Sequence, residues 1–202
     1  MIGGKLCVIL ITNILLITLS TMSLNIGEKV PSFEIEDVNG QKVEIEEGKK
    51  YIISFHRYMG CVWCQMDIIK LLKEKDKLKE KGVEVIIFIQ SPQDVVKEYL
   101  KDFPDFPFRL VPDPEKKVYK IFGVESGSFL DLVSPTALLR TLKDSPTLAK
   151  KYKSVKGGIK GDRYLRPAFF VVDNGVVIWS YKSKNVADSP DISEMLSKVG
   201  AN

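Results

Sequence analysis

The sequence is poor in side chains that bind metals or cross-link chains. It contains a single histidine, His56, and three cysteines, Cys7, Cys61 and Cys64. A structural zinc site needs four ligands, and the chain has no second cysteine or histidine pair to complete one. A disulfide framework needs several bridges between distant cysteines, whereas a Cys61–Cys64 bridge closes too small a loop to constrain the unfolded chain. We therefore predict neither a metal site nor a structural disulfide framework.

The sequence also lacks a strong excess of charge of either sign. Its 30 Lys and Arg residues face 26 Asp and Glu residues, which leaves a net charge of +4. The Lys-rich stretch over residues 73–81 contains interleaved acids, as a solvated helix face does. We predict no nucleic-acid partner. The hydrophobic content of 45% and the charged content of 28% are those of an ordinary folded domain.

One long apolar run occurs, and it lies near the N-terminus. Residues 6–19 are almost wholly apolar, follow a short segment with one lysine and precede the small, mostly polar residues 20–23. This is the layout of a secretory signal peptide, although the run could also remain as a membrane anchor. We predict a signal peptide or anchor over 1–23, a folded domain over 24–202, and an exported or membrane-anchored, extracytoplasmic protein. Translation from Met22 would instead make the protein cytoplasmic.

Apolar runs alternate with segments of helical periodicity along the rest of the chain. Apolar alternation around Asn39-Gly40 predicts a β-hairpin over residues 32–46. Strands are predicted over 51–55, 83–89, 108–111, 168–172 and 176–181, and helices over 61–82, 92–101, 114–122, 135–142, 146–153 and 190–199. Alternating strands and helices indicate a mostly parallel sheet covered on both faces. We predict an α/β thioredoxin-like fold, a central mixed β-sheet flanked by helices, with an N-terminal β-hairpin and a helical insertion.

Cys61 and Cys64 lie where a predicted buried strand gives way to a long amphipathic helix. Free N–H groups and the positive end of the helix dipole favour a thiolate at Cys61. The thiolate is the nucleophile, so Cys61 would attack a disulfide or a peroxide. Cys64, one turn further along, would resolve the adduct by forming the Cys61–Cys64 disulfide. An external thiol reductant would restore the dithiol, and this cycle needs no cofactor.

Several neighbours are predicted to support this pair. Arg57 could stabilise the thiolate, or could be an ordinary surface residue. Trp63 could form a docking surface, cover the site or simply pack. Pro167 precedes a late strand, where thioredoxin-like folds place a cis-proline beside the redox centre, and Arg166 would then lie close to the sulfurs. His56 is predicted to be a packed residue at a strand end that could help in proton transfer.

The sequence resembles peroxiredoxin-like proteins of the alkyl hydroperoxide reductase/thiol-specific antioxidant superfamily. Residues 25–33 are similar to the opening of those domains, and residues 57–64 are similar to their Arg-x-x-Gly-Cys-x-x-Cys site. Residues 106–123, 161–163 and 167–175 resemble later segments of the same proteins. The resemblance covers about residues 25–199 and implies a thioredoxin-like fold, thiol-dependent reduction and an antioxidant role. The chain could also form a homodimer, since these domains often pair.

One departure from that superfamily bears on the substrate. Typical peroxiredoxins carry Pro-x-x-x-Thr-x-x-Cys, but Ser54 and Tyr58 hold the Pro and Thr positions here. We therefore predict a thiol-dependent oxidoreductase that uses a Cys61/Cys64 cycle to reduce protein disulfides or peroxides, with a thioredoxin-like protein or a small thiol as reductant. The alternatives are a thiol peroxidase with an antioxidant role and a non-enzymatic binding module with the same fold.

Overall fold

The computed structural model describes residues 23–200, apart from the side chain of Leu148. The predicted signal peptide or anchor therefore lies almost wholly outside the described residues and stays a prediction. Within residues 23–200, no helix is both long enough and apolar enough to cross a membrane.

A five-stranded mixed sheet forms the centre of the molecule. Its strands are β1 (Lys50–His56), β2 (Val83–Ile89), β3 (Arg109–Pro112), β4 (Ala168–Asp173) and β5 (Val176–Lys182), in the spatial order β3-β2-β1-β4-β5. Strands β1, β2 and β3 run parallel, while β4 pairs antiparallel with both β1 and β5. The predicted mixed sheet is confirmed, and all five strands were predicted within a few residues of their bounds.

Helices and loops cover both faces of this sheet. The helices of the described residues are α1 (Val62–Lys73), α2 (Lys75–Glu80), α3 (Gln93–Leu100), α4 (Lys117–Ile121), α5 (Phe129–Leu132), α6 (Pro135–Lys151) and α7 (Ile192–Val199). Apolar side chains of α1, α2, α3 and α7 pack on one face, where they meet Ile52 of β1. Apolar side chains of α4 and of the N-terminal residues 24–45 pack on the other face, against Tyr51, Ile53 and Phe55. Successive residues of β1 therefore serve two separate cores.

The N-terminal hairpin is reduced to a turn. Residues 32–46 form no regular strand, and a single antiparallel bridge joins Glu36 to Lys42. The carboxylate of Asp37 accepts a hydrogen bond from the backbone N–H of Gln41 at 3.0 Å. This side-chain bond closes the turn, and the predicted ladder is reduced to two backbone hydrogen bonds, from the Asp37 N–H to the Gln41 carbonyl and from the Val43 N–H to the Ile35 carbonyl.

Two predicted helix boundaries were wrong. The helix predicted over residues 61–82 is broken at Glu74 into α1 and α2. The two helices predicted on either side of Ser145 are one helix, α6, with Pro146 in its interior. Proline has no N–H to donate to the carbonyl of Leu142, but the Ser145 hydroxyl donates to that carbonyl at 2.9 Å. The helix can therefore continue past the proline without an unpaired carbonyl.

Candidate active site

The cysteine pair lies at the carboxyl end of β1, where the chain turns into α1. Cys61 is the N-cap residue of α1, with extended backbone angles of φ −78° and ψ 118°. Its Sγ accepts a hydrogen bond from the backbone N–H of Cys64 at 3.2 Å. The sulfur therefore occupies the place of a capping side-chain oxygen, and the helix N-terminus donates directly to the atom that would carry the negative charge.

Arg57 is turned inward onto Cys61. Its Nη2 donates to Cys61 Sγ at 3.0 Å, and its Nη1 donates to the backbone carbonyl of Arg163 at 2.9 Å. The guanidinium carbon lies 5.0 Å from the centre of the Trp63 ring and 5.6 Å from that of Tyr58. Arg57 is only 1% exposed, so the surface role considered for it is excluded. A buried cation in direct contact with a thiol stabilises the thiolate.

The two thiols differ strongly in acidity. Burial raises the pKa of Cys61, but hydrogen bonding from Cys64 and the positive charge of Arg57 outweigh burial and lower it to about 7. The pKa of Cys64 is raised well above its ordinary value, first by burial and then by its hydrogen bond to Cys61 and the charge there. Both cysteines are free thiols. At neutral pH, Cys61 is therefore the one suited to attack, and Cys64 keeps its proton.

Trp63 is covered by helix α6, which lies between β3 and β4 in the sequence. Its indole Nε1 donates to the hydroxyl of Thr141 at 3.0 Å. Close by, Arg140 of α6 forms an ion pair with the buried carboxylate of Asp67 on α1. The Trp63 ring thus lies between α6 and Arg57, and its role as a docking surface or as a cover of the site stays a prediction.

A strap of residues 152–163 closes the site from the other side. The amide of Gln65, buried on α1, donates to the carbonyl of Lys153 at 2.7 Å and accepts from its N–H at 2.8 Å. The Gly60 N–H donates to the carbonyl of Gly158 at 2.7 Å. Cys61 itself, next to Gly60, is only 3% exposed. Sequence reasoning missed Gln65, although a long polar residue on the apolar face of a helix is a signal for such a contact.

Replacing Gly60 by alanine should loosen the strap. A Cβ atom at this position would lie 2.9 Å from the backbone carbon of Gly158 and 3.1 Å from Ile159 Cγ2. Because backbone must move to relieve this overlap, we expect the free energy of unfolding in urea to fall by about 1–3 kcal/mol. Alkylation of Cys61 should become faster at the same time.

Gly200→Ala is the matched control for this substitution. There the new Cβ would meet the flexible end of Lys81, at 2.8 Å from its Nζ, and this side chain can move aside. Equal stability and equal alkylation rates in the Gly60→Ala and Gly200→Ala proteins would contradict a packed strap.

The predicted surroundings of Pro167 need correction. The described residues contain no cis peptide bond, so the predicted cis-proline is wrong. The Arg166 guanidinium donates two hydrogen bonds to the Asp131 carboxylate, at 3.0 and 3.2 Å. This two-pronged ion pair anchors Arg166 to α5, while the hydrogen bonds to Cys61 Sγ come from Arg57 and Cys64.

Within residues 23–200, no group of three His, Cys, Asp or Glu side chains could hold a metal ion.

Similar proteins of known sequence include thiol-disulfide oxidoreductases and peroxiredoxin-like proteins. Thiol-disulfide oxidoreductase ResA of Bacillus thuringiensis subsp. konkukian is 30% identical over 104 residues, which cover 50% of this chain. The match spans 59% of the length of that relative. Peroxiredoxin-like 2C of Mus musculus is 22% identical over 179 residues, covering 85% of this chain and 79% of that protein.

Solved structures of the same fold include the crystal structure of peroxidoxin BcpB from Mycobacterium tuberculosis. It superposes with a TM-score of 0.62 at 15% sequence identity, covering 88% of this chain and 97% of that one. This likeness confirms the predicted thioredoxin-like fold. The family model described as AhpC/TSA antioxidant enzyme matches residues 70–185, from the last turn of α1 to just beyond β5. Since this match takes in more than half of the 202 residues, the chain belongs to the AhpC/TSA antioxidant enzyme family.

Proposed function

We propose that this protein is a thiol–disulfide oxidoreductase in which Cys61 and Cys64 alternate between dithiol and disulfide. The observation that carries the proposal is the contact of 3.0 Å between the buried Arg57 guanidinium and Cys61 Sγ at the N-terminus of α1. Together with the pKa of about 7 for Cys61, this contact provides a thiolate at neutral pH. Family membership and the resemblance to ResA support the same chemistry.

The reaction proceeds by two exchanges. The Cys61 thiolate attacks one sulfur of a substrate disulfide, so that a mixed disulfide forms and the other substrate sulfur leaves as a thiolate. Cys64 then attacks Cys61 Sγ, the Cys61–Cys64 bond forms, and the second substrate thiol leaves. The substrate gains two electrons and the cysteine pair loses two. A thioredoxin-like protein or a small thiol returns the pair to the dithiol.

Peroxide is the second candidate substrate, because the site is enclosed. Cys61 is 3% exposed, so a molecule as small as hydrogen peroxide reaches it with less movement of the strap than a protein disulfide does. The thiolate would attack a peroxide oxygen, releasing water and leaving a sulfenic acid that Cys64 converts to the disulfide with loss of a second water. One feature argues against a peroxidase. Tyr58 occupies the position of the threonine in the typical peroxiredoxin motif, and its ring packs on Arg57.

A side-by-side assay distinguishes the two substrates. We expect the wild-type protein, supplied with a thiol reductant, to reduce insulin disulfides faster than it consumes hydrogen peroxide. Both rates are compared with those of a Cys61→Ser control. Turnover of peroxide alone would favour the peroxidase, and turnover of neither substrate above the control would favour the binding module.

We further propose, from the sequence of residues 1–23, that the protein acts outside the cytoplasm. The apolar run over 6–19 would direct export and, if retained, would attach the protein to the membrane. N-terminal sequencing of the native protein from membrane and soluble fractions tests this. A mature N-terminus near residue 24 in an extracytoplasmic fraction supports export, whereas a cytoplasmic protein that begins at Met22 contradicts it.

A further inference from the structure

The single histidine of the chain is buried directly behind the cysteine pair. His56 is the last residue of β1 and is 0% exposed. Side chains alternate along a strand, so His56 shares its face with Ser54 and Ile52, which is the face covered by α1. Its ring stands edge-on to Phe169, with 5.6 Å between the ring centres. The ring therefore lies in the layer between the sheet and the first turn of α1, where Cys64 is located.

Only one of the two ring nitrogens of His56 has a partner. Nε2 lies 3.1 Å from the hydroxyl oxygen of Ser54. Nδ1 has no hydrogen-bond partner among the described residues, although it is fully buried. Buried polar atoms of this kind are rare because they forgo the hydrogen bonds that water would supply. If Nε2 carries the proton and donates to Ser54, Nδ1 presents a free lone pair.

The proposed cycle contains a step that needs such an acceptor. Cys64 attacks as a thiolate, but its side chain is 1% exposed and its pKa is raised well above the ordinary value. The interaction with His56 works in the opposite direction and lowers that pKa. Asp67 is the nearest carboxylate along α1, but it is ion-paired with Arg140. Tyr119 is a further titratable group close to His56, and its hydroxyl donates to the His56 carbonyl at 2.6 Å.

We propose that His56 is the proton acceptor for Cys64 in the resolving step, an inference that rests on the proposed function. As Cys64 Sγ attacks Cys61 Sγ of the mixed disulfide, the thiol proton of Cys64 passes to His56 Nδ1. The Cys61–Cys64 bond forms, the bond from Cys61 to the substrate sulfur breaks, and the substrate leaves as a thiolate. The imidazolium then gives up its proton, either to that thiolate or to water admitted as the strap moves.

Dithiobis(nitrobenzoate) separates this step from the first attack. In the full-length chain with Cys7→Ser, Cys61 and Cys64 are the remaining cysteines. Attack by Cys61 releases one nitrothiobenzoate, and resolution by Cys64 releases a second from the mixed disulfide. We expect His56→Asn to slow the second release at least about a hundredfold at pH 7, the lower end of the range for loss of a general base. The first release should keep its rate, because Arg57 governs it.

The pH dependence provides a readout that a purely structural role would not alter. For His56→Asn, the rate of the second release should rise in proportion to hydroxide across the neutral range, because hydroxide must then take the Cys64 proton, whereas the wild-type rate should depend less steeply on pH. A second release in His56→Asn with the wild-type rate and pH profile would overturn the proposal. If wild type itself releases a single nitrothiobenzoate, as Cys64→Ser must, then the proposed Cys61/Cys64 cycle fails instead.

Nuclear magnetic resonance gives a test in which His56 itself is unchanged. Because His56 is the only histidine, its ring protons form an unambiguous signal in the full-length chain. We expect the chemical shifts of these ring protons to change when the cysteine pair is oxidised and when Cys64 is replaced by serine. Identical ring-proton signals in all three proteins would mean that the ring does not sense Cys64, and would also overturn the proposal.

Discussion

A Cys61→Ser protein is expected to reduce disulfides at least about a thousandfold more slowly than wild type, because the nucleophile of the whole cycle is lost. A serine hydroxyl at the same N-cap position accepts the same backbone hydrogen bond but has no accessible anion at neutral pH. The helix cap and the fold should therefore survive the substitution. Insulin reduction measures the loss, and urea unfolding checks that stability stays within about 1 kcal/mol of wild type.

Cys64→Ser is the matched variant of the same pair. It retains Cys61 with its contact to Arg57 but cannot resolve the adduct, so it should stop as a mixed disulfide with the substrate. Mass spectrometry should find one substrate molecule per chain, released by added thiol. Full turnover by Cys64→Ser would show that an external thiol resolves the adduct, and full turnover by Cys61→Ser would remove Cys61 from the mechanism.

Arg57→Gln should slow alkylation of Cys61 by roughly ten- to fiftyfold at pH 7. Without the guanidinium charge, the pKa of Cys61 should rise from about 7 to or above the ordinary thiol value of about 8.5. The thiolate forms as the pH rises through the pKa. The difference between wild type and variant is therefore largest at and below pH 7, and it disappears above the pKa of the variant. Iodoacetamide labelling from pH 5 to pH 10 measures both curves.

Arg57→Lys separates charge from geometry in this experiment. Lysine keeps the positive charge but cannot bond Cys61 and the Arg163 carbonyl with one planar group. We expect its alkylation curve to lie between those of wild type and Arg57→Gln. Identical curves for wild type and Arg57→Gln would show that the helix N-terminus and Cys64 alone lower the pKa of Cys61.

The enclosure of the site constrains how either substrate reaches Cys61. Helix α6 covers Trp63, and the strap of residues 152–163 bonds Gly60 and Gln65 from the other side. A disulfide needs an approach in line with the attacking sulfur, so a protein substrate requires the strap to move. The size of the substrate that can reach Cys61 therefore depends on the few hydrogen bonds that hold the strap in place. Because Gly60→Ala should weaken these bonds, we expect it to raise the reactivity of Cys61.

The pattern of apolar residues along the sequence determined most of the strands and helices, and it placed the two cysteines at the junction between a strand and a helix. The strand before Cys61 is a continuous apolar run, and the helix after it has a clear apolar period. Both signals arise from neighbouring residues, so the strand–Cys–helix junction was predictable. Two of the errors fell where a side chain overrode the local signal. The Ser145 hydroxyl lets α6 pass Pro146, and the Asp37 carboxylate holds a turn where strands were predicted.

The tertiary structure alone decided how the site is surrounded. Whether Arg57 faced solvent or the thiol could not be read from its position, because its second partner, the Arg163 carbonyl, lies 106 residues away in sequence. In the same way, Arg166 bonds Asp131 of α5, and Gln65 bonds the main chain of the strap. Burial makes such distant polar pairs strong, since an unpaired group in the core loses its hydrogen bonds to water. The local sequence thus determined where the thiols lie and which of them is acidic, and long-range packing decided which side chains and main-chain groups enclose them.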